Sequence, residues 1–354
     1  MGSSSPIVVG IMYPSWWYGS EDGFAEEVAA LEAIDPRIEV VFPTYEEPHE
    51  VRTARGAPQA DGAAPIEAQP IEPEDRELMA RMHVALAIDV PPDITTIAPD
   101  LAWVQAVGSG TAQLQAAGLA PAGVTLTSNG GSNGVAIAEF VFGRLIEARK
   151  HFVDLAAAQA DHEWKAIYGT QLSGQTLGLL GYGAINQAVA VRAAAFGMRV
   201  LVARRTPDAQ PEPPVDECFG PDDLHEMLGR CDAVIAAVPE TPETEAMMNA
   251  DAFAAMRPGA FFANVGRGTL VDEAALIDAL ESGQVGSAAI DVAQVEPLPP
   301  DHPLWEAPNL RISGHCSTAP SALFPNLHRT FRENLRRFVG GEALTNQVEA
   351  GRGY

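Results

Sequence analysis

The sequence predicts an α/β protein built from two doubly wound parallel sheets. Three observations point there. Short, wholly apolar runs recur along the chain, as strands buried on both faces require. Helix-length stretches separate them, the alternation of an open sheet with helices on both sides. The length of 354 residues exceeds one compact domain and suits two.

The elements follow in order. Ile7-Val8-Val9-Gly10-Ile11-Met12 reads as a buried strand, residues 24–34 as a helix and residues 38–42 as a second strand. Residues 43–73, between Pro43 and Pro73, are rich in Pro, Glu, Ala and Gly without a period, so a long structureless connection is expected. Residues 76–82 read as a helix, and Val84-Ala85-Leu86-Ala87-Ile88 as a strand. Trp103-Val104-Gln105-Ala106-Val107 is another strand, ending at Gly108-Ser109-Gly110, and residues 124–127 complete the first set. Between 135 and 152 comes a long helix in which Ala136, Ile137, Phe140, Val141, Phe142, Leu145 and Ile146 leave few polar faces. Such a helix is buried, within the fold or against another subunit. After Trp164 a second alternation begins, with strands at 176–180, 199–202, 233–238, 260–264 and 287–290. Its helices start near Ile185, Pro221, Asp251 and Asp272.

Composition narrows the function. A formal net charge of −25 with only two lysines, Lys150 and Lys165, argues against nucleic acid, which requires clustered cations. No stretch reaches the ~20 apolar residues of a membrane span. The opening Met1-Gly2-Ser3-Ser4-Ser5 has neither the basic region nor the apolar core of a signal. Cys218, Cys231 and Cys316 lack zinc-like or redox spacing, so no metal is expected. A cytoplasmic protein is the expectation.

The strand at 176–180 runs into Gly181-Tyr182-Gly183-Ala184-Ile185-Asn186 and then a helix. In that context Gly181 allows a tight turn, and Gly183 lets the backbone approach a pyrophosphate at the helix N-terminus. Asn186 stands where a third glycine would pack helix on strand, so the helix is expected slightly further out. About twenty residues on, an NAD-binding unit usually presents a carboxylate to the ribose hydroxyls. Here the residues are Arg204, Arg205 and Thr206, which suit a 2′-phosphate. NADP is therefore favoured, with NAD as the second cofactor.

Three positions suit the reduction of a keto acid. Arg267 follows one strand, Glu296 another, and His315 sits in Ile312-Ser313-Gly314-His315-Cys316. A guanidinium binds a carboxylate and polarises a carbonyl, and a histidine can protonate the carbonyl oxygen. A carboxylate beside that histidine raises its pKa and orients the ring. Singly, each is commonplace: a surface arginine, a loop glutamate before proline, a structural histidine. The triplet is the signal.

From these residues the chain resembles the D-isomer-specific 2-hydroxyacid dehydrogenase family, glyoxylate/hydroxypyruvate reductases included. The resemblance runs from about Gly108 to the end, through the Gly181 turn, Val238-Pro239-Glu240-Thr241-Pro242-Glu243-Thr244, and the segment from Asn264 to Gly268. It continues through Asp291 to Pro297, His315, Asn346-Gln347-Val348-Glu349 and Gly353-Tyr354. It implies that Arg267 binds substrate, that His315 is the acid/base with Glu296 as partner, and that Val238, Pro239, Thr244, Val265, Gly266 and Asp291 line the cofactor. Asp291 is expected near its carboxamide.

The resemblance further implies two Rossmann-like domains with a cleft between them. Residues 1–130 with 315–354 would form a flavodoxin-like substrate domain, and residues 131–314 the dinucleotide domain, including a dimer-forming helix at 135–152. Gly108, Ser109 and Gly110 would cradle the substrate carboxylate through backbone N–H groups. A homodimer acting on a small 2-keto or 2-hydroxy acid, without nucleic acid or membrane, is the expectation. Cys316-Ser317-Thr318 departs from the small apolar residues commoner after the family's histidine. Glu296 counts against a formate dehydrogenase, which pairs its histidine with glutamine. A nucleotide-sensing, corepressor-like interaction protein of the same fold is the competing reading.

Overall fold

The computed structural model describes residues 5–13, 21–56, 66–207 and 211–349. The chain divides into two compact units, Met1–Ser132 with Pro320–Tyr354, and Asn133–Ala319.

The first unit opens with β1 (Ile7–Met12), α1 (Glu21–Glu32), β2 (Ile38–Val41), α2 (His49–Gly56) and α3 (Pro73–Met79). It continues with β3 (Val84–Ala87), α4 (Ile94–Ile97), β4 (Trp103–Ala106), α5 (Ala112–Gln115) and β5 (Thr125–Thr127). The strands pair in parallel in the order β2-β1-β3-β4-β5. Every residue of β1, β3 and β4 is buried, which is why β1 and β3 read as unbroken apolar runs and β4 is interrupted only by Gln105.

Residues 43–73 are not the structureless connection expected. They contain α2, and α3 begins at Pro73; residues 57–65 lie outside the described residues. Charge partners explain the helix: Arg52 grips Asp89, and Arg55 pairs with Glu47 at 2.5 Å with both side chains buried. Neither pairing leaves an apolar period in the sequence.

The second unit begins with α6 (Gly134–Lys150) and α7 (Phe152–Ala160). The single helix expected at 135–152 ends at Lys150, because His151 takes a left-handed φ of 55° and α7 departs from it. Then follow β6 (Thr176–Leu180), α8 (Ala184–Ala195), β7 (Arg199–Ala203), β8 (Glu217–Phe219), α9 (Leu224–Leu228) and β9 (Ala233–Ala236). The unit closes with α10 (Ala250–Ala255), β10 (Ala260–Asn264), α11 (Glu273–Glu281), β11 (Val285–Ile290) and β12 (Leu310–Ile312). Its seven parallel strands run β12-β11-β10-β9-β6-β7-β8, so the order reverses between β6 and β9, the crevice where such sheets bind nucleotides.

The last helix, α12 (Pro320–Gly340), returns to the first unit and has no counterpart among the sequence expectations. It is strongly charged, yet Leu327, Phe331 and Leu335 are fully buried in the core that holds Trp103. Burying each such side chain contributes about 1.5–3 kcal/mol. Asn334, also fully buried, donates to Gln105 Oε1 at 3.2 Å, and Gln105 accepts Thr127 Oγ1 at 2.8 Å. Behind α12 the chain rejoins the sheet: Gln347 bridges Thr127, and the Val348 amide donates to Leu126 O at 2.9 Å. Gly353 and Tyr354 lie outside the described residues.

Candidate active site

The expected catalytic residues all leave the carboxyl edge of the second unit's sheet, each just beyond its own strand. Arg267 follows β10. Its turn is tied by Asn264, which is 1% exposed, accepts the Gly266 amide at 3.0 Å and donates to Arg267 O at 2.8 Å. Gly268 comes next and lies flat against Ala293. A Cβ there would stand 2.0 Å from the Ala293 carbonyl, so only glycine lets the Arg267 turn meet the segment bearing Glu296.

Glu296 receives the Ala293 amide on Oε1 at 3.0 Å, and its Oε2 lies 2.8 Å from His315 Nδ1. That bond raises the His315 pKa from its usual value. Burial and the nearby Arg267 guanidinium oppose the rise, and the Asp291 charge adds a little to it. Arg267 is thus within electrostatic reach of the ring. Its guanidinium donates to Gly266 O at 2.7 Å, and no carboxylate lies within ion-pair distance of it among the described residues. A cation without a counterion beside an imidazole locked to a carboxylate can hold an anion and deliver a proton.

His315 has a left-handed φ of 53°, and Asp291 maintains that turn. Asp291 is 2% exposed. Its Oδ1 accepts Ser313 Oγ at 2.6 Å and the Cys316 amide at 2.9 Å, and its Oδ2 accepts the Ser317 amide at 3.0 Å. Its backbone oxygen accepts the His315 amide at 2.8 Å. The carboxylate expected near the cofactor is therefore wrapped by the loop that presents the acid/base candidate. Ser313 and Ser317 escaped the sequence reading: a loop folding back onto a carboxylate more than twenty residues earlier leaves no local pattern.

At the β6–β9 crevice the turn from Gly181 to Ile185 opens α8. Gly181 has a φ of 81°, and a Cβ there would lie 2.6 Å from Val238 Cγ1, so both glycine properties are used. Gly183 has nothing within 4 Å of its Cβ position. Among the described residues the amides of Tyr182, Gly183, Ala184 and Ile185 find no acceptor, the state of a helix N-terminus open to an anion. Asn186 is fully buried, and its amide nitrogen donates to Leu180 O at 2.8 Å and Gly181 O at 2.9 Å. The third-glycine position is filled by a side chain turned inward, which holds the turn from beneath.

Val238 and Gly266 adjoin the same crevice: a Cβ on Gly266 would meet Val238 O at 3.0 Å. Val265 is buried, and the Thr244 hydroxyl donates to Pro239 O at 2.8 Å, closing the loop after β9. Beyond β7, Arg204 donates Nε to Thr206 O at 2.7 Å, and Arg205 is exposed. Tyr182, half-buried, has its hydroxyl pKa raised by burial and by Cys218, with Arg204 opposing. Arg204 thus sits near the turn.

Gly108, Ser109 and Gly110 belong to the first unit, at the carboxyl end of β4. Among the described residues their amides have no acceptor, and Gly108 O accepts the Asn129 amide at 2.9 Å. Among the described residues no group of three or more His, Cys, Asp or Glu could hold a metal, and no helix is long and apolar enough to cross a membrane.

The sequence model of "D-isomer specific 2-hydroxyacid dehydrogenase, NAD binding domain" matches residues 142–317. The chain is 31% identical to the glycerate dehydrogenase of Methylorubrum extorquens over 288 residues, 77% of this chain and 88% of that protein. It is also 31% identical to the D-3-phosphoglycerate dehydrogenase of Mycobacterium tuberculosis over 283 residues, 79% of this chain but 52% of the relative. The chain thus spans about half the length of these phosphoglycerate dehydrogenases. A crystal structure of an NADPH-dependent glyoxylate/hydroxypyruvate reductase from Sinorhizobium meliloti, with NADP and sulfate, superposes with a TM-score of 0.73. Its sequence identity is 25%, covering 99% of this chain and 100% of that one.

Proposed function

The chain belongs to the D-isomer specific 2-hydroxyacid dehydrogenase family, and on that premise we propose that it reduces a small 2-keto acid with NADP(H), or oxidises the matching D-2-hydroxy acid. The observation behind this reading is the His315–Glu296 pair at 2.8 Å, at one sheet edge with Arg267, which has no carboxylate partner among the described residues.

The nucleotide site fits the cofactor. The amides from Tyr182 to Ile185, without an acceptor among the described residues, would hold its pyrophosphate, Gly183 leaves room for close approach, and Arg204, Arg205 and Thr206 would hold a 2′-phosphate. Val238, Pro239, Thr244, Val265, Gly266 and Asp291 complete the wall, Asp291 through the loop that it braces. NAD, lacking the phosphate, is the weaker cofactor. When bound, the nicotinamide supplies the hydride that becomes the C2–H bond of the product.

The protein's own groups do the rest. Arg267 binds the substrate carboxylate and draws electron density toward the carbonyl oxygen. His315, whose protonated form Glu296 favours, gives its proton to that oxygen as the carbon is reduced, and the imidazole is left neutral. Glu296 fixes the ring by occupying Nδ1, which leaves Nε2 for the substrate. Gly108, Ser109 and Gly110 add amide donors to the carboxylate. The first unit is the substrate domain and the second the dinucleotide domain.

The protein works as a cytoplasmic homodimer. Phe152, Val153 and Leu155 of α7 are exposed, as are Trp164 and Tyr168, an apolar set that a partner subunit would cover. All three cysteines are free, consistent with a reducing compartment. A screen of 2-keto acids with NADPH and NADH, read by loss of nicotinamide absorbance, tests the reading. Turnover is expected with NADPH in preference to NADH, and silence across the panel would overturn it.

A further inference from the structure

The first unit's strand order, β2-β1-β3-β4-β5, reverses between β1 and β3, so ligands are expected outside the carboxyl ends of these strands. What stands there is ionic. Asp89, two residues beyond β3, is 1% exposed and receives Arg52 through Nε at 2.7 Å and Nη2 at 2.6 Å. Arg52 Nη2 also donates to Glu47 O at 3.1 Å, and the Glu47 amide donates to Asp89 at 3.1 Å. Glu47, 2% exposed, accepts the Tyr45 hydroxyl at 2.7 Å, and Arg55 donates to Val90 O at 3.2 Å.

This cluster pins α2 over the sheet edge, where α2 also packs on α5. A Cβ on Gly56 would lie 3.2 Å from Ala112 Cβ, and Gln113 Nε2 donates to Ile88 O at 3.0 Å. α5 starts two residues after Gly110, so α2, the end of β3 and the Gly108–Gly110 turn are locked together. Apolar side chains would stabilise such a junction as well as buried ion pairs do; what the ion pairs add is a polar surface at a fixed place. The Arg52 side chain keeps 22% exposure, and its Nη1 has no acceptor among the described residues.

We propose that Arg52, held by Asp89, is a specificity-determining residue that donates from Nη1 to a hydroxyl on C3 of the substrate. The proposal rests on the keto-acid reading above. β3 and β4 are neighbours, and adjacent strands lie about 4.8 Å apart. A three-carbon acid at ~1.5 Å per bond spans a similar distance, from a carboxylate on the amides after β4 to a C3 substituent beyond β3. Asp89 already neutralises the guanidinium, so a second carboxylate gains little. A neutral hydroxyl gains a hydrogen bond, and an alkyl chain leaves Nη1 unpaired.

Hydroxypyruvate and pyruvate differ only by that hydroxyl, and glyoxylate has no C3. Their kcat/KM values with NADPH, measured on the full chain and on Arg52→Met, test the assignment. The hydroxypyruvate-to-pyruvate ratio is expected to fall by about tenfold or more, with glyoxylate losing less than hydroxypyruvate. Arg52→Lys should recover part of the ratio. The double variant Arg52→Met, Asp89→Asn avoids a stranded carboxylate and should repeat the loss. An unchanged ratio in both Met variants, or an equal fall for all three acids, overturns the role of Arg52 while leaving the keto-acid reading intact. A wild-type protein that reduces none of the three overturns both.

Discussion

His315 Nδ1 sits 2.8 Å from Glu296 Oε2, and the opposite oxygen of that carboxylate is fixed by the Ala293 amide. The ring cannot turn without breaking a charge-assisted bond. Its pKa is raised chiefly by that bond, so the acid form persists above the ordinary 6.5 and is lost as pH rises through the higher value. Reduction should therefore decline on the alkaline side. Glu296→Gln should move this decline to lower pH and cut kcat/KM by about tenfold or more. A pH–rate profile that keeps its alkaline limb in place would remove Glu296 from the proposed role.

Asp291 acts on the same histidine from beneath, through Ser313, Cys316 and Ser317. Asp291→Ala would strand these donors at a cost of about 1–3 kcal/mol each. The melting temperature should drop, and kcat should fall further than KM rises. Asp291→Asn retains one acceptor and should lie between. Wild-type kcat in the alanine variant would show that the loop holds His315 unaided.

Arg204 and Arg205 are the cations proposed to tell the two cofactors apart. Neutral residues at both positions should weaken NADPH by about tenfold or more and NADH far less, because only NADPH has the 2′-phosphate. Equal weakening in fluorescence titrations would contradict the NADP assignment.

A second histidine sets a stability signature remote from the chemistry. Tyr13 Oη lies 3.0 Å from His328 Nε2 within the first unit. Burial, assisted by the Arg332 charge, pushes the His328 pKa from 6.5 to about 4. The folded state then binds fewer protons than the unfolded chain between those values. This contribution is present in full above 6.5 and drains away as pH falls toward about 4. Denaturant midpoints of wild type should therefore drop across that window. His328→Gln, which can still bond Tyr13, should show a shallower drop, and an identical slope would mean that His328 titrates normally.

Legibility followed burial. β6, β9 and β10 are buried almost throughout, so their apolar runs announced them, and the glycine turn after β6 marked the nucleotide crevice. The short β8 and β12 are half-buried edge strands with charged members, and they have weaker patterns. α12 hides Leu327, Phe331 and Leu335 among arginines, and Pro325 interrupts its period. The positions of Arg267, Glu296 and His315 at the sheet edge were readable because each follows an apolar run that reads as a strand. The Arg52–Asp89 clamp was not, since 37 residues of chain separate partners that have no shared motif.

The most direct measurement is NADPH oxidation by wild type and His315→Ala with glyoxylate and hydroxypyruvate, beside NADPH affinity for both proteins. Turnover by wild type is expected, with its near-abolition in the variant by about a hundredfold or more and unchanged cofactor binding. A variant that turns over at the wild-type rate, or a wild type that binds NADPH and reduces no keto acid, would contradict it.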